Sequence, residues 1–233
     1  MAVITVSRQF ASGGDEIAAR VCELLGYSLF DKTLMAAVAA EAGLTDTEIV
    51  DFSETSHRGR SFLDRLLGRR ITVAEVRSWR EDVRGVRTPT VQRLTDEQAI
   101  GMVRATLEAA YRRGDVVIVG RGGQAALKGR PDVLHVRIEA PLEHRIQRCM
   151  DELDLPQVEA ELLIEERDRA ALDYVQRYYG INPADPQHYH LVINTGLLDL
   201  ETAADVIVLA VQQMRPVPPP NVTVLPRPTL VPA

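Results

Sequence analysis

The sequence predicts an α/β fold, a parallel sheet with helices on both faces, and three observations predict it. Short β-branched runs alternate with helical periods along the chain, the pattern of strands joined by helical crossovers. Val116-Val117-Ile118-Val119 is apolar at every position, as a strand covered on both faces must be. Two strands run directly into glycine turns, at Gly13-Gly14 and at Gly120-Arg121-Gly122-Gly123, where a parallel sheet opens a ligand crevice. With 233 residues, 45% hydrophobic and 26% charged, the chain suits one such domain with an insertion.

The first unit is the most informative. Ala2-Val3-Ile4-Thr5-Val6 reads as a buried strand, Ser7 to Gly14 as a turn, and Asp15 to Leu25 as a helix stopped by Gly26. Such a turn aims backbone N–H groups of Ser12, Gly13 and Gly14 at one spot, where the helix dipole also favours an anion. The loop Ala11-Ser12-Gly13-Gly14 is therefore a candidate phosphate cradle. A P-loop continues Gly-Lys-Ser/Thr; here Asp15 and Glu16 follow Gly14, and two carboxylates stand where the lysine and the magnesium-binding hydroxyl are expected. Arg8 either folds over bound phosphates in the lysine's stead or pairs with Asp15 or Glu16. Asp15 and Glu16 are either helix-start acids or magnesium ligands. Two acids beside the cradle repel a phosphate unless a cation intervenes, so a nucleotide held here would depend strongly on metal.

Tyr27 to Phe30 reads as a short strand ending at Asp31-Lys32, with Asp31 placed to cap the helix Thr33 to Ala42. Residues 45–94 hold ten arginines and show weak apolar periodicity, and are read as a helical insertion outside the sheet. Thr95 with Gln98 forms a capping-box pattern opening a helix to Arg113. After Val116–Val119 and its glycine loop come a strand from Val133 to Ile138 and a helix from Pro141 to Met150. A long helix from Gln157 to Tyr179, a strand from His190 to Asn194, and a helix from Leu200 to Met214 capped by Asp199 complete the domain, 1–214. Residues 215–233 carry seven prolines and read as a disordered or extended tail, a possible protein-docking segment.

Net charge of -6 argues against duplex DNA as a partner. There is no signal peptide and no apolar run of transmembrane length, which predicts a cytoplasmic protein with no membrane role. Cys22 and Cys149 lie far apart and read as buried small hydrophobes, and the five histidines lack metal-ligand spacing. Only Lys32 and Lys128 are lysines, against 25 arginines, so phosphate chemistry here falls mostly to arginine. Arg121, between glycines at a strand's end, is placed to face the crevice and bind an acceptor phosphate. Arg145 and Arg148 share a helix face, for phosphate or for surface pairing with Glu143 or Glu152.

Three segments together resemble the cytidylate kinase-like family: Ile4-Thr5-Val6-Ser7-Arg8-Gln9-Phe10-Ala11-Ser12-Gly13-Gly14, Gly26-Tyr27-Ser28-Leu29-Phe30-Asp31-Lys32, and Val119-Gly120-Arg121-Gly122. Glu166-Arg167-Asp168-Arg169 and Tyr189 to Thr195 fit the same pattern. The resemblance implies a three-layer P-loop NTPase fold, with residues 45–94 as the monophosphate-binding insertion and 149–170 as a lid-type region. It implies phosphate transfer from ATP, with magnesium, to a nucleoside monophosphate such as CMP or dCMP. Gly120, Arg121, Asp31 and Lys32 would then bind the acceptor, while Arg8, Arg145, Arg167, Asp168 and Arg169 would serve the transferring group. Authentic cytidylate kinases carry Gly-Lys-Ser/Thr and Gly-Arg-Asp; Asp15-Glu16 replace the first and Gly122 replaces the aspartate of the second. Three readings stand open: a kinase, a catalytically impaired module binding a nucleotide or phosphorylated ligand, and a protein-interaction domain with a vestigial loop.

Overall fold

The computed structural model describes residues 2–30, 47–48, 74–81, 87–94 and 96–215. In chain order these form β1 (Val3–Arg8), α1 (Gly14–Leu25), β2 (Ser28–Leu29), β3 (Thr47–Glu48), β4 (Ala74–Glu81), β5 (Arg87–Leu94), α2 (Asp96–Arg113), β6 (Val116–Val119) and α3 (Gly123–Ala126). They continue through β7 (Val133–Glu139), α4 (Leu142–Leu153), α5 (Gln157–Tyr179), a 3-10 turn at Pro186–His188, β8 (Leu191–Asn194) and α6 (Leu200–Gln213).

The main sheet runs β2-β6-β1-β7-β8, every pair parallel, with Val3 level with Val116 on one side and Val133 on the other. Alternation along each strand sorts the core into two layers. Ile4, Val6, Val117, Val136 and Ile138 face Ile17 and Val21 of α1 and Ala203, Ile207 and Val211 of α6. Val3, Val116, Ile118 and Val133 face Val103, Leu107 and Ala110 of α2, with Phe30 and Leu127. This is the three-layer α/β arrangement the sequence predicts. The chain leaves β1 toward β2 and leaves β7 toward β8, so the crevice lies where the carboxyl ends of β1 and β7 part. A smaller apolar cluster, Ile146, Cys149, Ala160 and Ile164, joins α4 to α5 and takes in Phe10 and Ala11 of the first loop.

The expectation of a helical insertion over 45–94 is corrected where the structure describes it. Residues 74–81 and 87–94 are antiparallel strands, paired from Ala74–Leu94 to Glu81–Arg87, with Thr47–Glu48 on the far side of the first. Apolar residues in Ala74 to Glu81 fall at Ala74, Val76 and Trp79, which sustains no period of two, so pairing with 87–94 and not local periodicity sets these strands. Pro89 is accommodated because β5 lies at the edge of that sheet. Residues 49–73 and 82–86, Asp31 and Lys32, the Thr95 cap and the 216–233 tail lie outside the described residues. The region 149–170 comprises the end of α4, a turn at Asp154 with φ 51°, and most of α5. No helix among the described residues is long and apolar enough to cross a membrane.

Candidate functional site

The loop between β1 and α1 is built around the left-handed residue Gly13, φ 80°, which caps the helix. The helix begins at Gly14, one residue before the expected Asp15, and this shifts the motif's register. Counting G-x-x-x-x-G-K-[ST] back from Gly13 puts Arg8 in place of the first glycine, Gly14 in the lysine's place and Asp15 in the hydroxyl's. The expectation that two carboxylates fill those places is corrected: one does, and the lysine's place is a glycine. Space explains the glycine, because a Cβ at Gly14 would lie 2.6 Å from Arg8 Cβ. The Arg8 guanidinium meanwhile reaches a carboxylate oxygen of Asp15 at 3.3 Å, the pairing that the sequence left as one of two possibilities.

Hydrogen bonding divides the loop by polarity. Every carbonyl from residue 9 to 12 accepts from the protein: Gln9 from the Ser12 amide and hydroxyl (3.3 and 2.8 Å), Phe10 from Arg145 Nη1 (3.3 Å), Ala11 from Arg148 Nη1 (3.1 Å) and Ser12 from the Thr195 hydroxyl (2.7 Å). Among the described residues, the N–H groups of Ala11, Gly13, Gly14 and Asp15 meet no protein acceptor. The Ser12 amide, expected to face an anion, is turned into the loop, and the Ser12 side chain is buried as a structural pin. Beside the open amides lies a cavity of about 60 Å³ edged by Phe10, Gly13, Asp15, Glu16 and Glu152. Burial, and then the Glu16 carboxylate, push the Glu152 carboxyl above its ordinary value, with Arg148 opposing.

The α4 and α5 arginines stand behind this loop. Arg145, only 7% exposed, pairs with Asp168 at 2.5 Å, and Asp168 accepts from the Phe10 amide at 2.9 Å. Arg167 stacks 5.7 Å over the Phe10 ring, and Arg169 is exposed. Of the residues expected at the transferring group, Arg8, Arg145, Arg167 and Asp168 therefore gather at the loop, and Arg169 points outward from α5.

The second glycine loop sits at the end of β6, next to β1, with the Gly120 amide bonded to the Val6 carbonyl at 2.9 Å. Gly120, Arg121 and Gly122 are successively left-handed, with φ 69°, 56° and 68°. A non-glycine residue held there stores strain of about 1 kcal/mol or more. Tyr179 explains Gly122, because a Cβ there would meet the tyrosine ring at 2.4 Å. The Tyr179 hydroxyl donates to the Arg121 carbonyl at 3.2 Å, while the Arg121 guanidinium lies 5.8 Å over Phe30. Burial pushes the Tyr174 phenol well up, and the charge of Arg121 pulls against it. The two glycine loops thus occupy the carboxyl ends of adjacent parallel strands, β1 and β6.

Sequence reasoning missed a third element. Arg137 is buried on β7 with Nε 2.6 Å from Glu139 and Nη1 donating to Ser7 at 3.2 Å. The signal was present: His135, Arg137 and Glu139 alternate with Leu134, Val136 and Ile138, a polar row on one face of a buried strand.

Among the described residues no group of three or more histidine, cysteine or acidic side chains is placed to hold a metal. The local chemistry nevertheless fits a nucleoside triphosphate with magnesium. Open amides suit phosphate oxygens, and the carboxylates of Asp15 and Glu16 are the hard oxygen ligands magnesium takes one or two of, completing its shell with phosphate and water.

Comparison with known proteins bears on these features. The profile of the cytidylate kinase-like family matches residues 3–197. The chain is 34% identical over 95 residues to a cytidylate kinase of Methanopyrus kandleri, covering 37% of this chain and 49% of that one. It is 33% identical over 92 residues to a uronate isomerase of Corynebacterium glutamicum, covering 40% of this chain and 18% of that protein. The chain thus spans less than half the length of these curated relatives. A crystal structure of an uncharacterized protein from Eubacterium ventriosum superposes over 91% of this chain and 99% of its own, with TM-score 0.60 and 18% identity, a likeness of fold.

Proposed function

The chain belongs to the cytidylate kinase-like family, and from that premise we propose that it binds ATP at the Gln9–Asp15 loop and transfers the terminal phosphoryl group to a nucleoside monophosphate such as CMP or dCMP. The observation that carries this reading is the polarity of the loop: carbonyls 9 to 12 are satisfied by the protein, and the amides of Ala11, Gly13, Gly14 and Asp15 are left for an anion. An anion at these amides also meets the positive end of α1. Arg8 supplies the cation that Gly14 cannot, by exchanging Asp15 for phosphate. Magnesium, held by Asp15 and Glu16, would neutralise the phosphate charge. Arg167, over Phe10, would approach the transferring group from α5 while Arg169 faces outward. Gly120 and Arg121 would hold the acceptor phosphate, with Asp31 and Lys32 beside it. In-line positioning and charge neutralisation are what such a transfer needs from a protein.

The acidic set Asp15, Glu16 and Glu152 favours a second reading, a nucleotide- or phosphate-ligand-binding module of low or no catalytic power. Thermal shift with ATP, CMP, dCMP and UMP, with and without magnesium, followed by a coupled assay of ATP consumption, separates the two. A binder gains melting temperature by mass action, and a kinase also consumes ATP when an acceptor is present. No shift with any nucleotide would remove both and leave a protein-interaction domain.

A further inference from the structure

We infer that Arg145 and Asp168 are positioning residues that lock the Phe10 peptide and so set which way the phosphate loop's polar groups point. This assignment deepens the donor-site reading above and rests on it for its ligand. Phe10 has both backbone groups held by one ion pair: Asp168 accepts its N–H at 2.9 Å, and Arg145 donates to its carbonyl at 3.3 Å. Arg145 and Asp168 in turn hold each other at 2.5 Å. Arg148, one turn along α4, draws the Ala11 carbonyl the same way at 3.1 Å. Two successive loop carbonyls therefore face α4, and the amides that follow, at Gly13, Gly14 and Asp15, are left facing outward.

The pair spans three elements 23 to 158 residues apart in sequence, the loop, α4 and α5. Arg145 is nearly buried, and its Nε meets no acceptor among the described residues, so the guanidinium is oriented by the loop and Asp168 alone. A buried, charge-assisted contact of this kind is worth more than a surface pair, and losing one partner leaves the other uncompensated. In this arrangement Arg145 does not touch phosphate. It acts through Phe10, and a shift of α5 against α4 would release the peptide and let the Phe10 carbonyl turn toward the anion site.

Amide hydrogen exchange of the full chain, followed residue by residue in solution without ligand, tests the lock directly. Asp168→Asn keeps the shape and removes the charge. The Phe10 amide should exchange about tenfold or more faster in this variant, while core amides such as Val117 and Ile118 keep their protection. Tripolyphosphate affinity should fall about tenfold, and CMP affinity should stay within about twofold. Arg145→Lys, which keeps the buried charge, should give the same pattern and stands in if Asp168→Asn fails to fold. In the double variant the two losses should be less than additive, because they break one unit. Unchanged Phe10 exchange in a folded variant overturns the assignment, and so does an equal loss of tripolyphosphate and CMP. If wild-type protein ignores tripolyphosphate while Phe10 exchange still responds to Asp168→Asn, the lock stands and the donor-site reading falls.

Discussion

Arg8 and Gly14 compete for one volume: a Cβ at position 14 would sit 2.6 Å from Arg8 Cβ and 3.0 Å from its Cγ. The departure from the P-loop pattern is therefore one coupled change, with a large residue at the loop's first position and none at the lysine's place. Gly14→Lys alone should cost about 1–3 kcal/mol by overpacking. Arg8→Gly with Gly14→Lys should recover most of that loss. Urea unfolding of the two single variants and the double variant reads the coupling, and strict additivity would refute the shared volume.

Removing the Arg8 cation should harm function more than stability. Its partner Asp15 is 67% exposed, and such a pair contributes at most about 1 kcal/mol. In Arg8→Ala the melting temperature should stay within a few degrees of wild type, while the ATP-induced thermal shift is lost. Retention of the shift would place the phosphate cation elsewhere.

Arg121→Glu should abolish binding of a nucleoside monophosphate and leave the fold intact, since the Arg121 carbonyl, and not its charge, holds Tyr179. Gly122→Ala should behave oppositely. Left-handed φ of 68° and the Tyr179 ring at 2.4 Å both oppose a methyl group there, and about 1–3 kcal/mol of stability should be lost. Calorimetric titration with CMP, paired with thermal unfolding, distinguishes the two kinds of loss.

A pH dependence follows from His135. Burial, helped by the neighbouring His190, lowers its pKa to about 4. The folded state therefore holds the imidazole neutral, bonded through Nδ1 to the Thr5 hydroxyl at 2.7 Å, while the unfolded chain protonates near its ordinary value of 6.5. A depressed histidine pKa contributes stability that is fully present above about 6.5 and is lost as pH falls from there toward about 4. Wild-type protein should lose stability over that window, and His135→Asn should lose less of it. Parallel curves for the two proteins would assign the acid loss to other groups.

Local signals were legible wherever the physics is local. Gly13, Gly26, Gly120 and Gly122 all adopt the left-handed conformations that turns require of glycine. The limits of Val116–Val119 and Gln157–Tyr179 match their predicted spans, and Asp199 caps α6 by accepting from the Thr202 amide. The start of α1 slipped by one residue because Gly14 is a poor helix former by propensity and is admitted by its position after a left-handed cap. The strands at 74–81 and 87–94 were not legible because their apolar positions carry no sustained alternation, and cross-strand pairing defines them.

What the sequence determined alone is the layered α/β plan and the places where two glycine turns end strands, because periodicity and turn chemistry act between residues a few positions apart. Tertiary structure decided which groups face the crevice. In sequence Arg145 reads as a phosphate ligand or a surface partner of Glu143 or Glu152, and Asp168 is set at the transferring group by the resemblance. Folding turns the two on each other and on Phe10. That outcome depends on contacts closed across 135 and 158 residues, whose partners no local pattern specifies.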